Sequence, residues 1–135
     1  MTEDQSLDFA RRYTSAWCSQ AASVAAFYSP NGSLLVNDDA LAQGRTAITE
    51  LAQSFMTALP DMRVVMDDLR VHGDRVEYHW TLTGTNAGPR GTGHRVRISG
   101  VELWLMGADG LIASSKGHFD AAEYRRQLEH GVEEP

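Results

Sequence analysis

A chain of 135 residues is the size of one fold, and an apolar content of 42 % is enough to build a globular core. Its 12 Lys and Arg against 18 Asp and Glu leave a formal charge of −6, a field that repels phosphate backbones and anionic lipid and argues against nucleic acid or membrane as partner. No apolar run reaches the ~18 residues of a spanning helix, and the lone Cys18 allows no internal disulfide and speaks against a metal cluster.

The first residues, Met1-Thr2-Glu3-Asp4-Gln5, are acidic and polar, not basic and then apolar like a secretory leader, and predict a cytoplasmic protein. From Ser6, Phe9, Ala10, Tyr13, Ala16 and Trp17 recur at steps of three and four, which puts them on one helical face. A second short helix is expected over Gln20 to Phe27, with Ala21, Val24 and Phe27 inward, ended by the turn residues Ser29-Pro30-Asn31-Gly32. Ser33 to Val36 reads as extended. After Gly44, Ile48, Leu51, Phe55 and Leu59 mark a third helix, with Thr46 as N-cap and Pro60 barring its continuation.

From Met62 the apolar period changes to two. Arg63–Val71 and Arg75–Gly84 flank His72-Gly73-Asp74 as a hairpin. A glycine-rich loop from Asn86 to Gly93 leads to a long strand, His94 to Met106, and Gly107-Ala108-Asp109-Gly110 turns into a last strand, Leu111–Phe119. The tail from Ala121 to His130 is polar, a short helix or a fraying end. Helices first and an antiparallel meander after them describe an α+β domain, helices packed on one face of a curved sheet.

The stretch from Trp80 to Gly100, followed by Asp109-Gly110-Leu111-Ile112 and by Asp120 with Arg126-Gln127-Leu128, resembles the SnoaL-like polyketide cyclases. These belong to the nuclear transport factor 2-like superfamily, which includes ketosteroid isomerase. The resemblance begins at Arg12-Tyr13, runs through Phe27-Tyr28 and Gly44-Arg45-Thr46-Ala47-Ile48, and ends at Leu128, with a domain core of about residues 6–128. It implies a cone-shaped antiparallel sheet wrapped around three N-terminal helices, a deep cavity between them, and a homodimer through the sheet's outer face. It is strong for fold and weak for activity, because this superfamily reuses one pocket for many functions.

Strand parity selects the residues that reach such a cavity. If Gly107–Gly110 is a two- or four-residue loop, Met106 faces Leu111 and Glu102 lies across from Ser115. One face then carries Ile98, Glu102, Trp104, Met106, Ser115, Gly117 and Phe119, the other Val101, Leu103, Leu105, Lys116 and His118. A three-residue bulged loop is the alternative and reverses the pairing of the last strand.

A carboxyl in an apolar cavity loses hydration, which holds it protonated as a donor or tunes it as a base near neutrality. Glu102 precedes Gly110 by eight residues, the spacing that the resemblance gives to the neutral acid of the isomerases, and Tyr13 matches their tyrosine after a one-residue shortening. Their proton-moving aspartate falls at or next to Val36, where Asp38 becomes available only after a shift. The cyclase-type acid/base aspartate, three residues before the strand-ending Asp120, falls on Gly117, and the tryptophan before it on Lys116. Glycine moves no proton.

The candidate catalytic set is therefore Glu102 and Tyr13 with a base at Asp38 or His79. Trp17, Trp80, Trp104, Ser115 and Phe119 are expected to bind a ligand. No metal or other cofactor is expected, since the histidines at 72, 79, 94, 118 and 130 form no ligand pair and the loop glycines do not open a helix. Plainer roles stand beside each: a core tyrosine, surface histidines, aromatic core, and Asp120 as a cap.

Three functions fit: an enzyme doing cofactor-free acid–base chemistry on a hydrophobic carbonyl compound, polycyclic guests included; a binding module that kept the cavity and lost the chemistry; and a dimeric interaction domain joined through Val101, Leu103 and Leu105.

Overall fold

The computed structural model describes residues 2–38 and 40–132. In it α1 (Glu3–Trp17), α2 (Ala21–Ala25) and α3 (Arg45–Ala58) accompany a six-stranded sheet of β1 (Tyr28–Val36), β2 (Ala40–Gln43), β3 (Arg63–His72), β4 (Arg75–Thr85), β5 (Arg95–Met106) and β6 (Ile112–Phe119), closed by α4 (Ala121–His130). The strand order is β2-β1-β6-β5-β4-β3. All neighbours run antiparallel except β1 and β6, a parallel pair that the expected meander lacked.

The amphipathic face of α1 does what its spacing predicts: Phe9, Ala10, Tyr13, Ala16 and Trp17 are all buried. Thr2 caps this helix by accepting from the Gln5 amide, and the Gln5 side-chain Oε1 accepts in turn from the Thr2 amide. Helix α2 is shorter than expected, and Phe27 lies beyond it, half-buried.

The Ser29–Gly32 segment is not a terminating turn. It belongs to β1, and the register with β6 shifts between Tyr28 and Ser33. That irregular stretch holds Pro30, which has no N–H to give a ladder, so a bulge absorbs it and the strand continues. Short β2, absent from the sequence reading, pairs with β1 across the turn that contains Asn37 and Asp38.

Two further expectations change. Thr46 does not cap α3; Gly44 does, at φ +87° and with no side-chain cap bond. The tail is a formed helix, its N-terminus capped by Asp120, which accepts from the Glu123 amide at 3.0 Å. Gln127 is buried and takes a 2.6 Å bond from the Arg97 amide, tying α4 to β5.

The β5–β6 register also differs. Glu102 pairs with Gly117 and Trp104 with Ser115, two positions from the expected alignment, after a shift between Leu105 and Met106. An error of two preserves the face, so Glu102, Trp104, Ser115 and Gly117 are buried and Lys116 and Leu103 are exposed.

Register lays the inner face out in rows. Val76, Trp104, Ser115 and Leu34 form one, Tyr78, Glu102, Gly117 and Val36 the next, then Trp80, Gly100 and Phe119, then Val64, Leu82 and Ile98. Gly100 is glycine because the Trp80 indole lies over it: a Cβ there would stand 2.4 Å from Trp80 Cζ2 and 2.5 Å from His118 O. Gly100→Ala is expected to lose about 1–3 kcal/mol through overpacking, read as a lower urea midpoint at unchanged slope.

Candidate active site

Glu102 sits in the middle of the sheet, on β5 between β4 and β6, and is 7 % exposed. Its Oε1 collects bonds from several elements. The Ser115 hydroxyl of β6 donates at 2.8 Å, the Tyr13 hydroxyl of α1 at 2.9 Å, and Trp104 Nε1, two residues along β5, at 3.1 Å. Tyr28 of β1 lies 3.4 Å from the same oxygen and 2.9 Å from the Tyr13 hydroxyl. Tyr13 gives its one proton to Glu102, and the single Tyr28 proton lies within reach of both that oxygen and the Tyr13 hydroxyl.

Burial pushes the Glu102 carboxyl above its ordinary range, and the bonds from Trp104, Ser115, Tyr13 and Tyr28 pull the other way without prevailing. Tyr13 and Tyr28 are raised well above theirs, by burial first and then by the carboxyl beside them. Both phenols therefore stay protonated as donors. Burial also raises Tyr78, which donates to Thr14 Oγ1 at 2.6 Å while Thr14 donates to Ala10 O.

Glu102 opens onto a cavity of about 60 Å³. Its walls are apolar and rich in rings: Trp17 and Phe55 from helices, Tyr78, Trp80 and Phe119 from strands, Tyr124 from α4. Glu102 is the one carboxyl or imidazole among the described lining residues. By the scale of ~10–15 Å³ for a single water, the space takes a few small heavy-atom groups. Gly117 also lines the cavity, and a Cβ there would meet Glu102 Cγ at an ordinary 3.7 Å.

The expected site residues divide. Glu102 and Tyr13 come together, and Trp17, Trp80 and Phe119 reach the cavity wall. Trp104 and Ser115 hold the carboxyl and are not part of the wall. Tyr13 likewise acts on Glu102 and does not line the cavity.

Asp38 is exposed at the β1–β2 turn with φ +61°, directed there by Asn37, whose Oδ1 accepts from the Phe119 amide at 2.9 Å. His79 is on the outer face of β4 beside Asp68 and Val101, its Nε2 buried without a partner. Neither lines the cavity. Among the described residues no three His, Cys, Asp or Glu side chains gather as a metal site, and no helix is long and apolar enough to cross a membrane.

Sequence reasoning missed Tyr28, Tyr78, Phe55 and Tyr124 as parts of the site. Tyr78 was within reach, since it shares parity with Trp80 on one strand. Tyr28 is masked by the turn-forming residues after it, and Tyr124 by the polar tail around it.

Residues 7–128 match the SnoaL-like polyketide cyclases. The chain belongs to that family. No curated protein sequence matches it. Among solved structures, a hypothetical protein with a ketosteroid isomerase-like fold from Catenulispora acidiphila DSM 44928, in complex with trimethylamine, superposes at TM-score 0.80 with 14 % identity, over 90 % of this chain and 92 % of that one. TsrD from Streptomyces laurentii gives 0.79 with 16 % identity over 95 % and 96 %. TerC co-crystallised with polyporic acid gives 0.76 with 16 % identity over 93 % and 98 %. At such identities the likeness is one of fold, that of the ketosteroid isomerase-like and nuclear transport factor 2-like proteins.

A carboxyl whose proton affinity is raised by burial has a defined stability signature. Below the ordinary glutamate value near 4.5 both folded and unfolded chains hold the proton, and its contribution is fully present. As pH rises from there the unfolded chain ionises first, so stability declines by up to about 1.4 kcal/mol per pH unit and levels off beyond the folded carboxyl's own midpoint. Chemical denaturation of wild type and Glu102→Gln at a series of pH values is expected to show this decline in wild type relative to the variant.

Proposed function

We propose that this domain is a cofactor-free acid–base enzyme of cyclase or isomerase type, acting on a small hydrophobic carbonyl compound held in the ring-lined cavity. What carries the reading is the buried carboxyl at the cavity wall, bound through one oxygen and pushed by burial above the ordinary glutamate range. Such a carboxyl accepts a proton when ionised and returns it when protonated. The domain's relatives in fold include proteins seen with trimethylamine and with polyporic acid, which supports a small-molecule guest.

With Asp38 and His79 away from the cavity, Glu102 does both halves of the proton transfer. As carboxylate, its Oε2 accepts the proton from the carbon next to the guest's carbonyl. The C–H electron pair becomes a carbon–carbon π bond and the carbonyl π pair moves onto oxygen, giving an enolate. The carboxylic acid then returns the proton to another carbon of the conjugated system, which completes an isomerisation. In ring closure the enolate carbon instead attacks a second carbonyl of the same molecule, and the acid protonates the new alkoxide. Tyr13, Trp104 and Ser115 hold the carboxyl in place during both halves. The outer sheet face, with Val101 and Leu105 half-buried and Leu103 39 % exposed, is the surface proposed for a homodimer.

A second reading, a binding module without turnover, is favoured by the lack of another carboxyl or imidazole on the described cavity wall and by Gly117 in it.

A panel of small enones with steroid-like and polyketide-like functional groups separates the two. Quenching of tryptophan fluorescence reports binding, because Trp17 and Trp80 line the cavity, and absorbance reports turnover. Turnover in wild type, reduced about 10²–10⁴-fold in Glu102→Gln, is the expected result. Turnover unchanged by that substitution removes Glu102 from the chemistry. Quenching without turnover gives the binding module, and neither signal overturns both readings.

A further inference from the structure

Three buried side-chain nitrogens have no hydrogen-bond partner among the described residues: Trp17 Nε1, Trp80 Nε1 and His79 Nε2. A buried polar group left unpaired is costly, so each calls for an explanation. His79 is on the outer face of β4 and does not line the cavity. Trp17 has the Tyr13 ring edge-on at 6.4 Å and favours the ionised form of that residue, so its N–H keeps a polar neighbour short of a hydrogen bond. The Trp80 indole instead lies across Gly100, where an added Cβ would stand 2.9 Å from Trp80 Cε2, and meets the Phe119 ring edge-on at 5.9 Å.

The strand register puts that indole beside the acid. Gly100 and Glu102 are two residues apart on β5 and share the inner face, opposite Trp80 and Tyr78 of β4. Rows so spaced are about 6.8 Å apart, and Trp80 and Glu102 line one cavity. Of the hydroxyls on that wall, Tyr78 spends its proton on Thr14, and Tyr124 comes from α4 against Phe55 and Phe119.

We propose that the Trp80 indole N–H binds the guest's carbonyl oxygen, with Gly100 letting the indole lie flat against β5 beside Glu102, and that the cavity takes a guest whose acceptor oxygen and acidic carbon are neighbours, as in a ketone or enone. This deepens the reading of Glu102 as the group that moves the proton and rests on it.

An indole N–H donates and cannot accept. It offers nothing to a cation, whereas a carbonyl oxygen satisfies it without importing charge into an apolar space. With contacts of about 3 Å at each end, one carbonyl group and the carbon next to it bridge the two rows. When the proton leaves that carbon, charge gathers on the guest's oxygen, and a donor already held there strengthens its bond as the charge grows. Among the described lining residues there is no lysine, arginine or histidine to do this instead.

The donor is read directly from the indole ¹H–¹⁵N NMR signals of the 3 tryptophans, with Trp17→Phe and Trp104→Phe assigning the Trp80 signal by elimination. Saturation of wild type with cyclopentanone is expected to move the Trp80 indole proton downfield, and methylenecyclopentane, which has CH₂ in place of the oxygen, to leave it near its free position. No ketone binding at all, an unmoved Trp80 signal at saturation, or a downfield shift confined to Trp17 overturns the proposal.

Affinities give the second arm. Trp80→Phe keeps a ring in place and removes only the N–H and part of the surface, so the ratio of cyclopentanone to methylenecyclopentane affinity is expected to fall about tenfold in the variant. A ratio that stays at the wild-type value in a folded Trp80→Phe overturns the proposal, since lost packing weakens both compounds alike. For an enone that wild type turns over, Trp80→Phe is expected to lower kcat about 10²-fold with a smaller change in KM. If no enone is turned over while the ketone-specific indole shift holds, the enzymatic reading fails and the assignment of Trp80 stands. Turnover lost in Glu102→Gln and untouched in Trp80→Phe gives the reverse.

Discussion

A carboxyl group with no cationic partner, closed in among aromatic rings, is the constraint around which this domain is arranged. Burial disfavours its ionised form, and the donors that oppose burial and fix the carboxyl in place come from separate parts of the chain: Tyr13 on α1, Trp104 on β5 and Ser115 on β6, with Tyr28 on β1 beside the first. A network of this kind is sensitive to its centre. Replacing Glu102 by an aliphatic residue would take the acceptor from three buried donors and strand the Trp104 indole, at about 1–3 kcal/mol for a donor left unsatisfied, whereas glutamine preserves an acceptor for all of them. The acid is thus part of the packing as well as of the proposed chemistry, and it links the first helix to the middle of the sheet.

The surrounding rings give the acid its properties. Tyr78 stacks on Trp104 at 4.9 Å between centroids and 18° between planes, and Tyr13 meets Trp104 edge to face at 5.0 Å. These contacts fix the indole whose N–H reaches Glu102 and exclude water from behind it. On the open side, Tyr124 of α4 meets both Phe55 of α3 and Phe119 of β6. The polar tail therefore completes the apolar wall with a single aromatic residue, while its remaining polar groups tie it down: Gln127 to the Arg97 amide and the Leu128 carbonyl to Asn86 and Thr92.

How much of this was legible follows from which physical signal each part depends on. Periodicity found α1 and the four long strands because burial enforces it. Parity put Glu102, Trp104, Ser115 and Gly117 on one face even though the β5–β6 register was misread, since a slip by two residues returns every side chain to its own side. Local chemistry was less reliable where tertiary pairing overrode it. Ser29-Pro30-Asn31-Gly32 has the composition of a turn, yet the backbone on either side is recruited by β6 and β2, with Gly44 N bonding to Gly32 O at 2.8 Å. That override hid Tyr28. Asp38 and His79 were chosen as titratable groups near the right place in the chain. Their side chains are carried away by a left-handed turn and by the outer parity of β4, the latter readable from its Trp80 neighbour and overlooked.

The pairing of Glu102 with Gly117 bears on the chemistry itself. Family resemblance assigns the acid/base carboxyl of the cyclases to the position of Gly117, and the chain has none there. Directly across the β5–β6 ladder stands a glutamate, one methylene longer than aspartate, and the missing side chain leaves its Cγ an uncrowded 3.7 Å from where a Cβ would be. A carboxyl added at 117 would crowd a second acid against Glu102, and two like groups sharing a small apolar space cannot both ionise. Glycine at 117 and glutamate at 102 are in that sense one choice: a single acid presented from the neighbouring strand. That arrangement supports the proposed chemistry, in which one group gives back the proton that it takes, over one that needs a separate acid and base on this wall.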